Sequence, residues 1–206
     1  MMRYVAPLAA IVVALFVGGI WWVSQGGGAD IAFAQCSATQ IAGDGNQIGG
    51  PFELVNGEGE TVTDQDVITE PALIYFGYTF CPDVCPLDTA RNAEAVDILT
   101  ERGLSVTPVF ISIDPERDTP RIVGEFAYNL HEKMIGLTGS PEQVDAASQA
   151  YRTYYRAHDK SDEFYLVDHS TFSYLVLPEH GFVEFFRRDV TADALADRVA
   201  CFVENA

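Results

Sequence analysis

The residues of this chain best suited to soft-metal or thiol chemistry are its four cysteines and four histidines. Two of the cysteines fall in Phe80-Cys81-Pro82-Asp83-Val84-Cys85-Pro86, with three residues between them. Redox pairs of the Cys-x-x-Cys type have one residue fewer. Three still allow a disulfide across a loop into a helical turn, and they also let two thiolates converge on one soft ion. Soft sulfur selects Cu(I), zinc or iron–sulfur clusters. A structural zinc or iron–sulfur site normally takes four ligands, so two cysteines leave it incomplete, whereas one more ligand completes a three-coordinate copper site.

The elements around the motif place its sulfurs. Ala72-Leu-Ile-Tyr-Phe-Gly-Tyr78 is a continuous apolar run bounded by Pro71 and the Pro/Cys cluster, which suits a strand buried on both faces. Leu87 to Arg102 reads as a helix stopped by Gly103, and Val106 to Ile113 as a second buried strand. Pro86 is tolerated only in a first helical turn, so the helix begins between Val84 and Pro86. Cys81 is then in the loop and Cys85 at the helix entrance. Both thiols face the positive end of the macrodipole, which favours thiolate. A plain structural disulfide is the competing reading, but a strand-to-helix turn is where reactive cysteines sit.

Among His131, His158, His169 and His180, His169 stands out. It follows Tyr165-Leu-Val-Asp168 and precedes an apolar stretch, which puts it at a strand edge or loop within reach of the cysteine loop. His131 and His158 end predicted helices, where histidine usually caps free carbonyls. His180 lies in a polar hairpin. Met134 is a conceivable soft contact, though a lone Met is more often core filling.

The rest of the chain reads as one domain of alternating strands and helices. Phe52 to Val55 and Thr61-Val62 flank Asn56-Gly57-Glu58-Gly59 as a hairpin. Thr119 caps a helix with Pro120 in its first position, ending near Leu130. Ser140-Pro-Glu-Gln143 is a capping box, and the helix it opens carries Val144, Ala147, Tyr151 and Tyr154/Tyr155 on one face and ends in Tyr151 to Arg156. Thr171 to Leu177 and Phe182 to Arg187 form a second hairpin, and Thr191 to Val203 a closing helix. Hairpin, strand–helix–strand, helices, hairpin and helix describe an α/β, thioredoxin-like three-layer sandwich: a mixed central sheet with flanking helices and an N-terminal hairpin.

Residues 5–23, VAPLAAIVVALFVGGIWWV, carry no charge and are long enough to cross a bilayer core of ~30 Å as a helix. Trp21 and Trp22 suit the interface, and Arg3 holds the N-terminus inside. The expected division is residues 1–4 cytoplasmic, 5–23 a transmembrane anchor, 24–32 a flexible tether and 33–206 the folded domain. A cleaved signal peptide, with Ala32-Phe33-Ala34 as the cleavage pattern, is the rival reading. Either exports the domain. A short N-terminus without an Arg-rich transit peptide favours a bacterial inner membrane facing the periplasm over a mitochondrial inner membrane facing the intermembrane space. The net charge of −18, from 12 basic and 30 acidic residues, argues against nucleic acid and against docking on anionic lipid through a basic patch.

Three motifs in order, Phe80-CPDVCP-Pro86, Ser112-IDPERDTP-Pro120 and Val167-Asp-His-Ser170, resemble the Sco/SenC family of membrane-tethered copper chaperones for cytochrome c oxidase assembly, over about residues 48 to 204. The resemblance implies Cys81, Cys85 and His169 as ligands of Cu(I) or Cu(II). It implies the binuclear CuA centre of oxidase subunit II as the destination, and an exported copper donor upstream. Some members of the family are thought to reduce the CuA cysteines instead. An accessible thiolate pair of low pKa serves either role, so Cys81 and Cys85 are also a candidate redox pair and a thiol-disulfide reductase is the alternative function. A thiol peroxidase is a third, weaker reading. Asp83 and Asp168 are candidate acceptors that orient the ligands. Arg117 or Asp118 could touch the site loop. Cys36 and Cys201 stand outside the family's metal motif. In an oxidising compartment they are expected to form a disulfide tying the N-terminal arm to the last helix, with two buried free thiols as the competing reading.

Overall fold

The computed structural model describes residues 33–37, 48–162 and 164–206. The expected anchor (5–23) and the whole of the expected tether (24–32) lie outside them. Among the described residues no helix is long and apolar enough to cross a membrane. Cys36–Ala206 forms one compact unit, to which the following applies.

A hairpin opens the unit: β1 (Glu53–Asn56) pairs antiparallel with β2 (Thr61–Thr63). Asn56 closes its turn by accepting the Glu58 and Glu60 backbone N–H groups on its side-chain oxygen. A short helix, α1 (Asp64–Val67), is boxed by Thr63 and Asp66. The strand–helix–strand unit follows as β3 (Ala72–Gly77), α2 (Val84–Glu101) and β4 (Thr107–Ser112), its strands parallel and in register from Ala72↔Thr107 to Gly77↔Ser112. Then come α3 (Pro120–Leu130), β5 (Ile135–Thr138) and α4 (Pro141–Ala150), whose Ser140/Gln143 capping box is formed. The chain ends in β6 (Tyr155–Ala157), β7 (Val167–His169), β8 (Ser173–Leu177), β9 (Gly181–Phe186) and α5 (Ala192–Glu204).

Seven strands make one mixed sheet in the order β2-β1-β5-β4-β3-β8-β9, and β6-β7 form a separate two-stranded ribbon. Every residue of β3 and of β8 is buried, so the middle of the sheet is covered on both faces. Helix α2 packs along α5, and α3 against β5. The core is aromatic and aliphatic, with Tyr75, Phe76, Phe110, Ile111 and Tyr151 fully enclosed. At ~1.5–3 kcal/mol per fully buried large apolar side chain, these residues hold the sheet centre, and with it the end of β3, in one place.

Three features depart from the sequence reading. Strand β5 was not expected. Ile135-Gly-Leu-Thr138 is too short and too Gly-interrupted to stand out, yet it fills the gap between β4 and β1. Gly136 is what admits it, because a Cβ there would lie 2.4 Å from the Val123 carbonyl oxygen. Helix α4 stops at Ala150 and does not run on to Arg156. Arg152 takes the left-handed conformation (φ 53°), Thr153 N–H turns back to the Ser148 carbonyl, and Tyr155 starts a strand. Tyr151 is buried, whereas Tyr154 is exposed. The ribbon that carries His169 has no periodicity long enough to read in three-residue strands.

Candidate metal centre

Strand β3 runs into the sheet's buried centre and stops at Gly77. The next residues, Tyr78-Thr79-Phe80, turn the chain into Cys81, whose N–H donates to the Tyr78 carbonyl (3.2 Å). Helix α2 then starts at Val84. The Cys81 sulfur takes the place of a capping oxygen: Cys85 N–H, in the first turn, donates to Cys81 Sγ at 3.3 Å. Asp83, at the N-cap position, makes no side-chain capping bond. Gly77 makes room for the second sulfur, since a Cβ there would come within 3.1 Å of Cys85 Sγ and 2.9 Å of Tyr75 Cε1.

His169 enters from β7, held by pairing with Tyr155. Its Nδ1 lies 2.8 Å from the Ser170 carbonyl oxygen. A carbonyl only accepts, so Nδ1 carries the proton and Nε2 presents its lone pair. Nε2 lies 3.2 Å from Cys85 Sγ. Tyr75 and Tyr78 stand edge-on to the imidazole, at 6.2 and 5.8 Å between ring centres. Tyr78 also ties the ribbon to the cysteine loop, its hydroxyl oxygen accepting Val167 N–H. The donor atoms of Cys81, Cys85 and His169 all lie within 4.8 Å of one another.

The two thiols have opposite electrostatics. A hydrogen bond from Cys85 and the backbone N–H groups of Asp83 and Cys85 hold Cys81 far below the ordinary thiol range, against its burial. The hydrogen bond to Cys81 and burial push Cys85 far above it. Both cysteines are free and buried, Cys85 completely. This corrects the expectation of two accessible thiolates. Two adjacent negative sulfurs in a poorly solvated pocket repel, so one keeps a proton and the pair shares a single charge. A thiolate, a thiol ready to lose its proton and an imidazole nitrogen form a soft donor set suited to copper.

Residues 41–204 match the model of the family described as SCO1/SenC. The chain belongs to the SCO1/SenC family. It is 58% identical over 158 residues to Protein SenC of Rhodobacter capsulatus, covering 77% of this chain and 72% of that one. It is 40% identical over 156 residues to the mitochondrial Protein SCO1 homolog of Homo sapiens, covering 74% of this chain but only 52% of the human protein. Among solved structures, Arabidopsis thaliana ScoI with copper bound superposes with a TM-score of 0.71 at 43% identity, over 76% of this chain and 99% of that one. The mixed sheet with flanking helices is thus the thioredoxin-like architecture of the Sco structures.

Around the Cys81–Cys85–His169 cluster, the remaining residues singled out in the sequence fall in several places. Asp168 points away from His169. Neighbouring strand residues face opposite sides, and its carboxylate pairs with His158 at 2.9 Å, so the acceptor behind His169 is the Ser170 carbonyl instead. Asp83 is exposed, and its backbone N–H, rather than its carboxylate, serves Cys81. His131 caps α3 and meets Asp97, His180 is exposed in the β8–β9 turn, and Met134 is buried in the core. None of these joins the cluster. Cys36 and Cys201 are joined by a disulfide, with their Cα atoms 5.6 Å apart.

Arg117 and Asp118, expected near the site loop, both reach it and brace the site. Asp118 is fully buried and accepts both the N–H and the hydroxyl of Thr79, two residues before Cys81, together with the Ser112 hydroxyl. Burial raises its pKa. Asp114 binds Arg117 and accepts the Tyr165 hydroxyl, and the Arg117 guanidinium lies 3.6 Å over the Tyr165 ring and 4.9 Å over Phe80. The motif Asp114 to Pro120 signals a turn and a helix start, but nothing local in it names Thr79 or Tyr165 as partners.

Proposed function

We propose that this protein is a copper chaperone that holds one copper ion on Cys81, Cys85 and His169 and delivers it to the CuA centre of cytochrome c oxidase subunit II. The observation that carries this reading is the convergence of two sulfurs and an oriented imidazole nitrogen within 4.8 Å, in a family with copper-bound members. Copper is the cargo. A three-donor set leaves it open to an incoming ligand before an outgoing one departs, as handover requires. The chain's own groups prepare the site: backbone N–H groups hold the Cys81 thiolate, the Ser170 carbonyl fixes the imidazole tautomer, and Asp118 anchors the loop through Thr79. The proposed placement is a single helix over residues 5–23 in a bacterial inner membrane, the domain in the periplasm, supplied by an exported copper donor.

The Cys81 thiolate with a resolving thiol beside it supplies the nucleophile for a second reading, a thiol-disulfide reductase acting on the CuA cysteines, although a stabilised thiolate lowers its reducing power. The Cys81 thiolate attacks one sulfur of a target disulfide and the partner sulfur leaves as a thiolate. Cys85 then loses its proton and attacks the Cys81 sulfur, releasing the second target thiolate and leaving a Cys81–Cys85 disulfide.

The deciding experiment titrates the reduced full-length chain, in detergent, with Cu(I) against a competing chelator, for the wild type and His169→Ala. The chaperone reading expects one ion per chain and binding at least about tenfold weaker in the variant. If the variant holds copper as tightly as the wild type, the ligand assignment is wrong. Absence of competitive binding, with a redox-cycling Cys81–Cys85 pair, moves the protein to the reductase class.

A further inference from the structure

The two ends of β3 open onto different surroundings. Gly77 leads into the cysteine loop, whereas Ala72, at the other end, pairs with Val176 beside the β8–β9 turn. There a cleft of about 520 Å³ lies between residues 48–51, α1, Tyr151 and the β8–β9 turn. Its volume is in the range of small-molecule sites. Ile68, Val176, Leu177 and Phe182 give it apolar walls. Residues 48–51 are braced from two sides. Gly49 N–H donates to the Ala150 carbonyl at 2.9 Å. Gly49, in the left-handed region at φ 83°, passes so close to Phe182 that a Cβ there would lie 3.0 Å from Phe182 Cβ.

Two polar groups of the cleft have no partner among the described residues. Tyr151 is 1% exposed, its ring packed against Phe76 and Tyr174 with centres 5.4 and 5.6 Å away. Its hydroxyl makes no hydrogen bond there, yet it is not sealed in as the Ser148 hydroxyl is, so it opens into the cleft that Tyr151 lines. Burial and the charge of Asp64 raise its pKa, so the hydroxyl keeps its proton and can donate or accept. Asp64 is half-buried on α1, and its carboxylate has neither a hydrogen bond nor an ion pair among the described residues. Apart from His180 on the rim, it is the only acidic or basic side chain lining the cleft.

We infer that this cleft binds a small organic cation, its ammonium or guanidinium head held by the Asp64 carboxylate and the Tyr151 hydroxyl and its apolar body lying against Ile68, Val176 and Phe182. The inference is independent of the chaperone reading. A cationic head supplies what both groups lack: N–H donors for each and a positive charge for the half-buried carboxylate. A neutral apolar ligand would leave both unpaired, and an anion would meet Asp64. One carboxylate and one phenol offer too few oxygens for a hard metal ion. A Lys or Arg side chain of another protein carries the same head, but a recessed cleft of this volume, with buried walls at Val176 and Leu177, suits a free small molecule.

The test is equilibrium dialysis of radiolabelled phenethylamine, an ammonium at neutral pH, against the full-length chain in nanodiscs of uncharged lipid, with protein-free nanodiscs subtracted. Saturable binding of about one molecule per chain is expected. Asp64→Asn is expected to bind about tenfold or more weakly and Tyr151→Phe several-fold more weakly. Both variants should keep the wild-type Tm and, by chelator competition, the wild-type hold on Cu(I), which separates this site from the metal centre. Phenethyl alcohol, the neutral analogue, should compete about tenfold less well than the unlabelled amine. Absence of saturable binding overturns the site, and is also the result if the cleft instead receives a protein's Lys or Arg side chain. Full affinity in both variants puts the binding elsewhere and overturns it too. Equal competition by phenethyl alcohol overturns the cationic ligand. Each of these results leaves the chaperone reading standing.

Discussion

Cys36 and Cys201 are joined across 165 residues of chain, whereas Cys81 and Cys85, four positions apart, remain thiols. The bonded pair fastens the start of the compact unit to α5. Beside it, buried Glu184 accepts the Ser37 hydroxyl at 3.0 Å and pairs with Arg198 at 2.9 Å, so the same junction is held twice. The free pair sits at the opposite kind of place, a strand-to-helix turn where backbone N–H groups point at sulfur. Stabilising a thiolate stabilises the reduced form, which makes the corresponding disulfide a better oxidant and keeps the thiols available. The redox state of the surroundings alone therefore does not decide which cysteines bond. What separates a staple from a free thiol pair is whether the surroundings accommodate the reduced sulfur.

The largest effect that would break this contrast is on stability. Cys36→Ser/Cys201→Ser is expected to cost about 2–5 kcal/mol, a fall in Tm of roughly 5–15 °C for a domain of this size, with copper affinity unchanged. Loss of copper binding in the folded double variant would show that the staple and the site are not separate devices.

Gly77→Ala should act on both stability and copper binding. A Cβ at 3.1 Å from Cys85 Sγ and 3.0 Å from Phe110 Cε2 crowds the sulfur pocket from the end of β3. Expected are a loss of about 1–3 kcal/mol in stability and a several-fold weaker hold on Cu(I), by thermal melts and chelator competition. Full copper affinity in this variant would show that the pocket yields more than the packing around Tyr75 suggests.

The smallest effect sharpens the split between the two thiols. Cys85 has a raised pKa and holds its proton at neutral pH, whereas Cys81 has a lowered pKa and is already a thiolate. Metal binding needs both deprotonated, so Cu(I) uptake should release about one proton, and affinity should rise about tenfold, or ~1.4 kcal/mol, per unit increase in pH near 7. Calorimetry in buffers of different ionisation enthalpy measures the count. Release of two protons would mean that Cys81 is not held as a thiolate.

Much of this was legible along the chain because its causes are local. An apolar run ending at Gly77, a proline-bounded cysteine motif and the capping boxes are each set by a handful of neighbouring residues. They yield the strand–helix–strand unit, the loop position of Cys81 and the helix-entrance position of Cys85. The three-residue strands of the ribbon were not legible, nor was β5, whose seat depends on an α3 carbonyl beside Gly136.

By itself the sequence determined the chemistry on offer: two sulfurs at a helix entrance, a histidine on the approach to a strand, and an acidic domain of mixed strands and helices. Those follow from residue type and short-range backbone geometry. Only the tertiary structure decided that His169 Nε2, 84 residues from Cys85, comes to 3.2 Å from its sulfur, that Asp168 turns away to His158, and that Thr79 is the residue through which Asp118 reaches the site loop. It also decided which thiol keeps its proton. Distance between remote side chains, burial and shared hydrogen bonds are properties of the packed chain, and no local pattern encodes them.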